Sequence, residues 1–80
     1  MKKRLYRIRL DKFRDQHETQ TYYYKQEILD TYYLLVIEEM SEQLNNKWLL
    51  TLENNDKVVL TDTDYIYYIK KERTNERQTE

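Results

Sequence analysis

From Tyr6 to Asp11 the side chains alternate without a break, with Tyr6, Ile8 and Leu10 on one side and Arg7, Arg9 and Asp11 on the other. A period of two marks a strand with one face buried. The same alternation returns at Trp48, Leu50 and Leu52, so antiparallel sheet is the natural organising element of the chain.

The intervening segments extend that reading. Asp15-Gln16-His17-Glu18 has no apolar residue and reads as a loop, and Thr19 to Ile28 is rich in Thr and Tyr, which favour extended structure. Leu29-Asp30 turns the chain into Thr31 to Glu38, a strand covered on both faces. Tyr33, Ile37, Met40 and Leu44 also recur at helical spacing, with Asp30 as an N-cap and Asn45-Asn46 as a stop. One continuous helix would set Leu35 among Glu38, Glu39 and Glu42 on the polar face. The spacing therefore predicts a strand to Glu38 and a short helix near 39–46. A helix over 30–45 packed on an antiparallel sheet is the α+β alternative.

A hairpin follows, Lys47 to Glu53 and Lys57 to Thr61 around Asn54-Asn55-Asp56. A three-residue loop would pair Glu53 with Lys57, Leu52 with Val58 and Leu50 with Leu60. Asp62-Thr63-Asp64 then leads into a last strand, Tyr65 to Lys70. The expected fold is mainly β: a small, antiparallel, partly open barrel of the SH3-like or OB-like kind, formed by one domain over 1–70, with 71–80 a polar tail.

The chain has no Gly, Ala, Pro or Cys. All four usual suppliers of tight turns, small contacts and thiols are missing, whereas AT-rich codons are plentiful, as in mobile elements of low-GC bacteria. Without Gly there is no P-loop, dinucleotide fingerprint or glycine-lined oxyanion turn. A lone His17 and a lone Ser41 make a poor basis for a metal site or a triad. Glu38-Glu39 and Asp62/Asp64 are carboxylate pairs, but they read as a solvent boundary and as turn residues. We expect no enzyme, no metal and no cofactor.

After Met1-Lys2-Lys3-Arg4, Arg7 and Arg9 interrupt any apolar signal region, and the longest apolar run, Tyr32 to Ile37, is six residues. A membrane span needs about 20. The expectation is a cytoplasmic protein without a membrane partner, in the host cell cytoplasm if a phage encodes it.

Charge is segregated along the chain: residues 1–14 sum to +6, residues 15–64 to −8, and the rest to +1. Such a chain either pairs its basic strand with acidic neighbours or presents faces of opposite sign. Nine tyrosines, several in adjacent runs, add the residue that interfaces favour. Adjacent strand residues point to opposite faces, so some rings are expected outside the core.

The leading functional expectation is a protein-binding module, a phage-type inhibitor of a host macromolecule with an anti-defence role. Its surface would comprise Tyr22, Tyr23, Tyr24, Glu38, Glu39, Glu42, Asp62, Asp64, Tyr67 and Tyr68. The alternative is a single-strand nucleic-acid binder using Arg7, Arg9, Lys12 and Arg14 with the rings of Tyr22 to Tyr24. A self-associating homo-oligomer built on open strand edges is the third reading.

Overall fold

The computed structural model describes residues 2–15 and 19–72. Six strands and one helical turn follow in order: β1 (Lys2–Arg9), α1 (Leu10–Phe13), β2 (Tyr23–Ile28), β3 (Thr31–Glu42), β4 (Lys47–Leu52), β5 (Lys57–Thr61) and β6 (Tyr65–Glu72). The strands form one antiparallel sheet in the order β1-β6-β2-β3-β4-β5. The mainly β, antiparallel expectation holds. β1 and β5 remain edges, so the sheet is not closed into a barrel.

The long strand β3 serves both halves of the sheet. Its first part pairs with β2, from Ile28↔Thr31 to Tyr23↔Val36, and its second part with β4, from Ile37↔Leu52 to Glu42↔Trp48. A register shift between Ile37 and Glu39 separates the two parts. A bulge of this kind bends a strand and increases its local twist. Glu53 secures the bend, because Val36 N–H donates to its carboxylate at 2.8 Å and Glu53 N–H donates to Val36 C=O at 2.9 Å.

The bend gives the sheet an inner face, and the core lies there: Leu10, Tyr22, Trp48, Leu50, Leu52 and Ile66 are buried. Ile8, Phe13, Tyr24, Leu35, Met40 and Tyr68 pack around them. Aromatic rings do much of the filling in place of small aliphatic residues. Phe13 meets Tyr22 and Trp48 edge-on at 5.0 and 5.9 Å, and Tyr22 meets Tyr68 at 5.8 Å.

Three sequence expectations need correction. Residues 39–42 belong to β3, so neither the short helix near 39–46 nor the helix over 30–45 forms. Glu38 and Glu39 are both exposed at the register shift, Glu42 is exposed near the end of the strand, and Met40 reaches the core from a strand. The helical turn is instead α1. Leu10 keeps the inward alternation of β1, but its N–H donates to Asp64 C=O and that of Asp11 to Asp62 C=O, so the 62–64 turn satisfies the first donors of the helix.

The third correction is the β4–β5 register, which pairs Thr51 with Lys57, Leu50 with Val58 and Trp48 with Leu60. It differs by two residues from the expected pairing, because the three-residue loop is 53–55 and not 54–56: Leu52 N–H donates to Asp56 C=O at 2.9 Å. A shift of two preserves the faces, so Trp48, Leu50 and Leu52 still point inward. Asn55 takes the left-handed conformation the loop requires, at φ 71°. β6 continues through Lys71 and Glu72, which the sequence assigned to the polar tail; the remainder of that tail lies outside the described residues.

Candidate functional site

The outer face of β1-β6-β2-β3 is set by register. Arg7 stands opposite Tyr67, Tyr67 opposite Tyr23, and Tyr23 opposite Val36. Stepping by two along each strand adds Lys3, Leu5 and Arg9 on β1, Tyr65, Ile69 and Lys71 on β6, Lys25 and Glu27 on β2, and Tyr32 and Leu34 on β3. Four tyrosines thus share a face with several cations. Tyr32 is the most open of the four, at 58% exposure.

Cations lie directly on these rings. The Arg7 guanidinium sits 4.2 Å from the centre of the Tyr65 ring, and Lys25 Nζ lies 4.4 Å from that of Tyr32 and 5.4 Å from that of Tyr67. Attraction between a cation and an exposed ring contributes about 0.5–1 kcal/mol, enough to hold long side chains near the rings while leaving their charge in water.

β2 and β6 meet in register at one position only, Tyr23↔Tyr67. Below it they part, and an open groove of about 430 Å³ lies between them, lined by Tyr24, Lys25, Tyr32, Asp64, Tyr65 and Tyr67 among others. The groove is therefore continuous with the aromatic face.

The residues singled out from sequence are divided among several regions. Tyr22 is buried, and Tyr24 and Tyr68 face the core, so these three are not outer-face rings; Tyr23 and Tyr67 are. Glu42 and Asp62 come together on Arg14, which donates to Glu42 Oε2 at 2.9 and 2.6 Å and to Asp62 Oδ1 at 3.1 Å. Asp62 Oδ1 also accepts from Trp48 Nε1 at 2.7 Å. Hydrogen bonds from Arg14 to Glu42 first, and to Asp62 next, raise the Arg14 pKa further above its ordinary value.

Asp64 accepts from Thr61 N–H at 2.8 Å and closes the turn before β6. Glu38 and Glu39 are exposed beside a second hollow of about 370 Å³, floored by Phe13, Tyr22, Ile37, Met40 and Trp48. Of the basic set, Arg9 donates twice to Asp11, both at 2.9 Å, while Arg14 is held as described and Lys12 projects from α1. Of these four, Arg7 and Arg9 share the tyrosine face, Arg7 lying on the Tyr65 ring and Arg9, in register with Tyr65, turned to Asp11. Lys25, Tyr32 and Tyr65 were missed as site residues, since their common face depends on long-range register.

Ser41 is exposed on β3 and accepts from Gln43 Nε2 at 2.6 Å. His17 lies outside the described residues. Among the described residues no group of three or more His, Cys, Asp or Glu side chains is arranged to hold a metal ion, and no helix is long and apolar enough to cross a membrane.

Comparison with known proteins finds no matching family model, no matching curated protein and no matching solved structure.

Proposed function

We propose that the chain is a non-enzymatic binding module, acting in the cytoplasm, that holds a single-stranded nucleic acid against the outer face of β1-β6-β2-β3. The observation that carries this reading is the sharing of one sheet face by Tyr23, Tyr32, Tyr65 and Tyr67 with Arg7 and Lys25. Unstacked bases have apolar π-faces that rings can cover in any sequence, and the phosphates between them seek cations. A tyrosine sheet interleaved with Arg and Lys meets both needs at once. The overall charge of −1 is no obstacle to this geometry, because the potential that matters is that of the face.

The test is equilibrium binding of a labelled oligothymidylate followed by anisotropy. Replacing Tyr67 or Tyr65 by Leu keeps an apolar outer residue and removes the ring; each should weaken binding by roughly 1–3 kcal/mol, the worth of a stacked base. Equal binding by wild type and both variants would reject the reading.

A second reading, the phage-type inhibitor of a host macromolecule, has its own support. The β2–β3 hairpin exposes Ile28 (51%), Leu29 (88%) and Tyr33 (49%) in sequence with Tyr32, a tyrosine-rich apolar tip suited to a protein partner. Capture from a lysate with and without nuclease separates the two: a protein retained after nuclease treatment favours the second. Self-association would use the β5 edge, where Val59 is open, and would appear as concentration-dependent mass.

A further inference from the structure

At the free end of the β1–β6 ribbon, cations stand opposite cations. Lys3 is in register with Lys71 on the outer face, and Arg4 with Lys70 on the other. All four are exposed, and Lys2 beyond them has Glu72 as its register partner. Like charges directly opposite in an antiparallel pair destabilise it, whereas opposite charges stabilise it.

Protection of exposed edges accounts for charge at this end of the ribbon but not for its sign. β1 is an edge strand, and Lys or Arg there discourages pairing with other chains. β6 pairs with β1 out to Glu72 but meets β2 in register at Tyr23↔Tyr67, so at Lys70 and Lys71 its other side is open too. Edge protection asks for charge and not for this sign: a carboxylate at position 71 would keep the edge charged and, opposite Lys3, would serve the β1–β6 ladder better. The repulsion has a natural counterpart in a polyanion.

We infer that Lys3 and Lys71 form a phosphate clamp at which a single-stranded nucleic acid is anchored, so that the strand runs from the ribbon end across Arg7 and Tyr67 to Lys25. The inference rests on the nucleic-acid reading above and assigns its electrostatic anchor. Lys3 and Arg7 are four residues apart on one face of β1, about 13–14 Å at the rise of a strand. Leu5 and Ile69 lie between them, an apolar step over which a sugar or base can pass. The occupant is single-stranded because the tyrosines of the same face need base faces, which a duplex keeps stacked.

The experiment compares wild type, Lys3→Gln/Lys71→Gln and Tyr67→Leu for binding to a labelled oligothymidylate of about 12 nucleotides, each over a salt series. Each phosphate contact to a single strand contributes about 0.7 to the slope of log affinity against log salt. The double lysine variant should lose about tenfold in affinity at low salt and about 1.4 from that slope. Tyr67→Leu should weaken binding and leave the slope unchanged. If wild type binds and the lysine variant keeps its full slope, the clamp is refuted while the nucleic-acid reading stands. If wild type binds no oligonucleotide, or binds duplex DNA or anionic phospholipid vesicles more tightly, both fail.

A second measurement needs no ligand. Because the substitution relieves a cross-strand repulsion, Lys71→Gln should raise the melting temperature by a few degrees at low ionic strength, and the gain should vanish in about 1 M salt. A lower melting temperature at low salt would show that Lys71 is already compensated within the chain, and would overturn the clamp.

Discussion

The β3–β4–β5 end of the sheet and the β1–β6 ribbon carry charge in opposite ways. Around β4 and β5 each named polar group completes the fold: Arg14 bridges Glu42 and Asp62, Asp62 receives the Trp48 indole, Asp64 closes a turn and Glu53 secures the β3 bend. Along the ribbon, Lys3 faces Lys71 and Arg7 lies on the Tyr65 ring, while Arg9 is held by Asp11. That contrast is the ground on which we propose the ribbon face as the binding surface, while Asp11, Glu42, Glu53, Asp62 and Asp64 serve the fold.

The largest effect that would sharpen the contrast is at Trp48. Its ring is buried against Phe13 and its N–H is bound by Asp62, so Trp48→Ala should destabilise the domain by about 3–5 kcal/mol, read as a lower denaturant midpoint. Ile69→Ala on the outer face, where the side chain is already part-exposed, should cost about 1 kcal/mol or less. Similar losses at the two sites would erase the distinction between the halves.

A gain is expected at the β2–β3 turn. Leu29 is the first of two turn residues and adopts φ 52°, a left-handed conformation that a Cβ disfavours. Glycine is the usual occupant of such a position in a two-residue hairpin loop. Leu29→Gly should therefore stabilise by about 1 kcal/mol, visible as a higher midpoint. No gain would mean that contacts of the Leu29 side chain outweigh the backbone cost.

The smallest effect concerns acid. The hydrogen bonds from Arg9 hold the Asp11 carboxyl below its usual range, against the opposing effect of desolvation, with the Arg9 charge assisting. A carboxyl whose folded pKa lies below its unfolded value stabilises the fold fully above the unfolded value, here near 3.8, and that contribution is lost as pH falls through the folded value. Arg9→Gln should move the Asp11 titration, followed by carboxyl NMR, up toward the ordinary value and make the acid limb below about pH 4 shallower. An unchanged Asp11 midpoint would remove Arg9 as the cause.

Much of the fold was legible because the buried stripes keep a period of two wherever they occur. Ile8, Trp48, Leu50 and Leu52 face the core as their alternation predicts, and Tyr6 stacks on Tyr68 of the same face. What misled was local degeneracy: Ile37, Met40 and Leu44 fit a helix as well as a strand, and pairing with β4 decided between them. Leu10 continues an alternating stripe even though the backbone has left the strand, so the position of α1 had no local signal. The site was harder to read. In an adjacent tyrosine pair one ring points each way, and which ring faces out follows from Tyr23↔Tyr67, a contact 44 residues apart in the chain. The Lys3–Lys71 pair was hidden for the same reason, since nothing near Lys71 marks it as part of a strand.

The most direct test of the ribbon face as the binding surface is an amide chemical-shift map recorded while unlabelled oligothymidylate is added at low salt. The account predicts that perturbed amides cluster at Lys3, Arg7, Tyr23, Lys25, Tyr65, Tyr67 and Lys71, with Glu39, Glu42 and the β4–β5 loop unmoved. Shifts centred on Glu38 to Glu42, or none at saturating oligonucleotide, would contradict it.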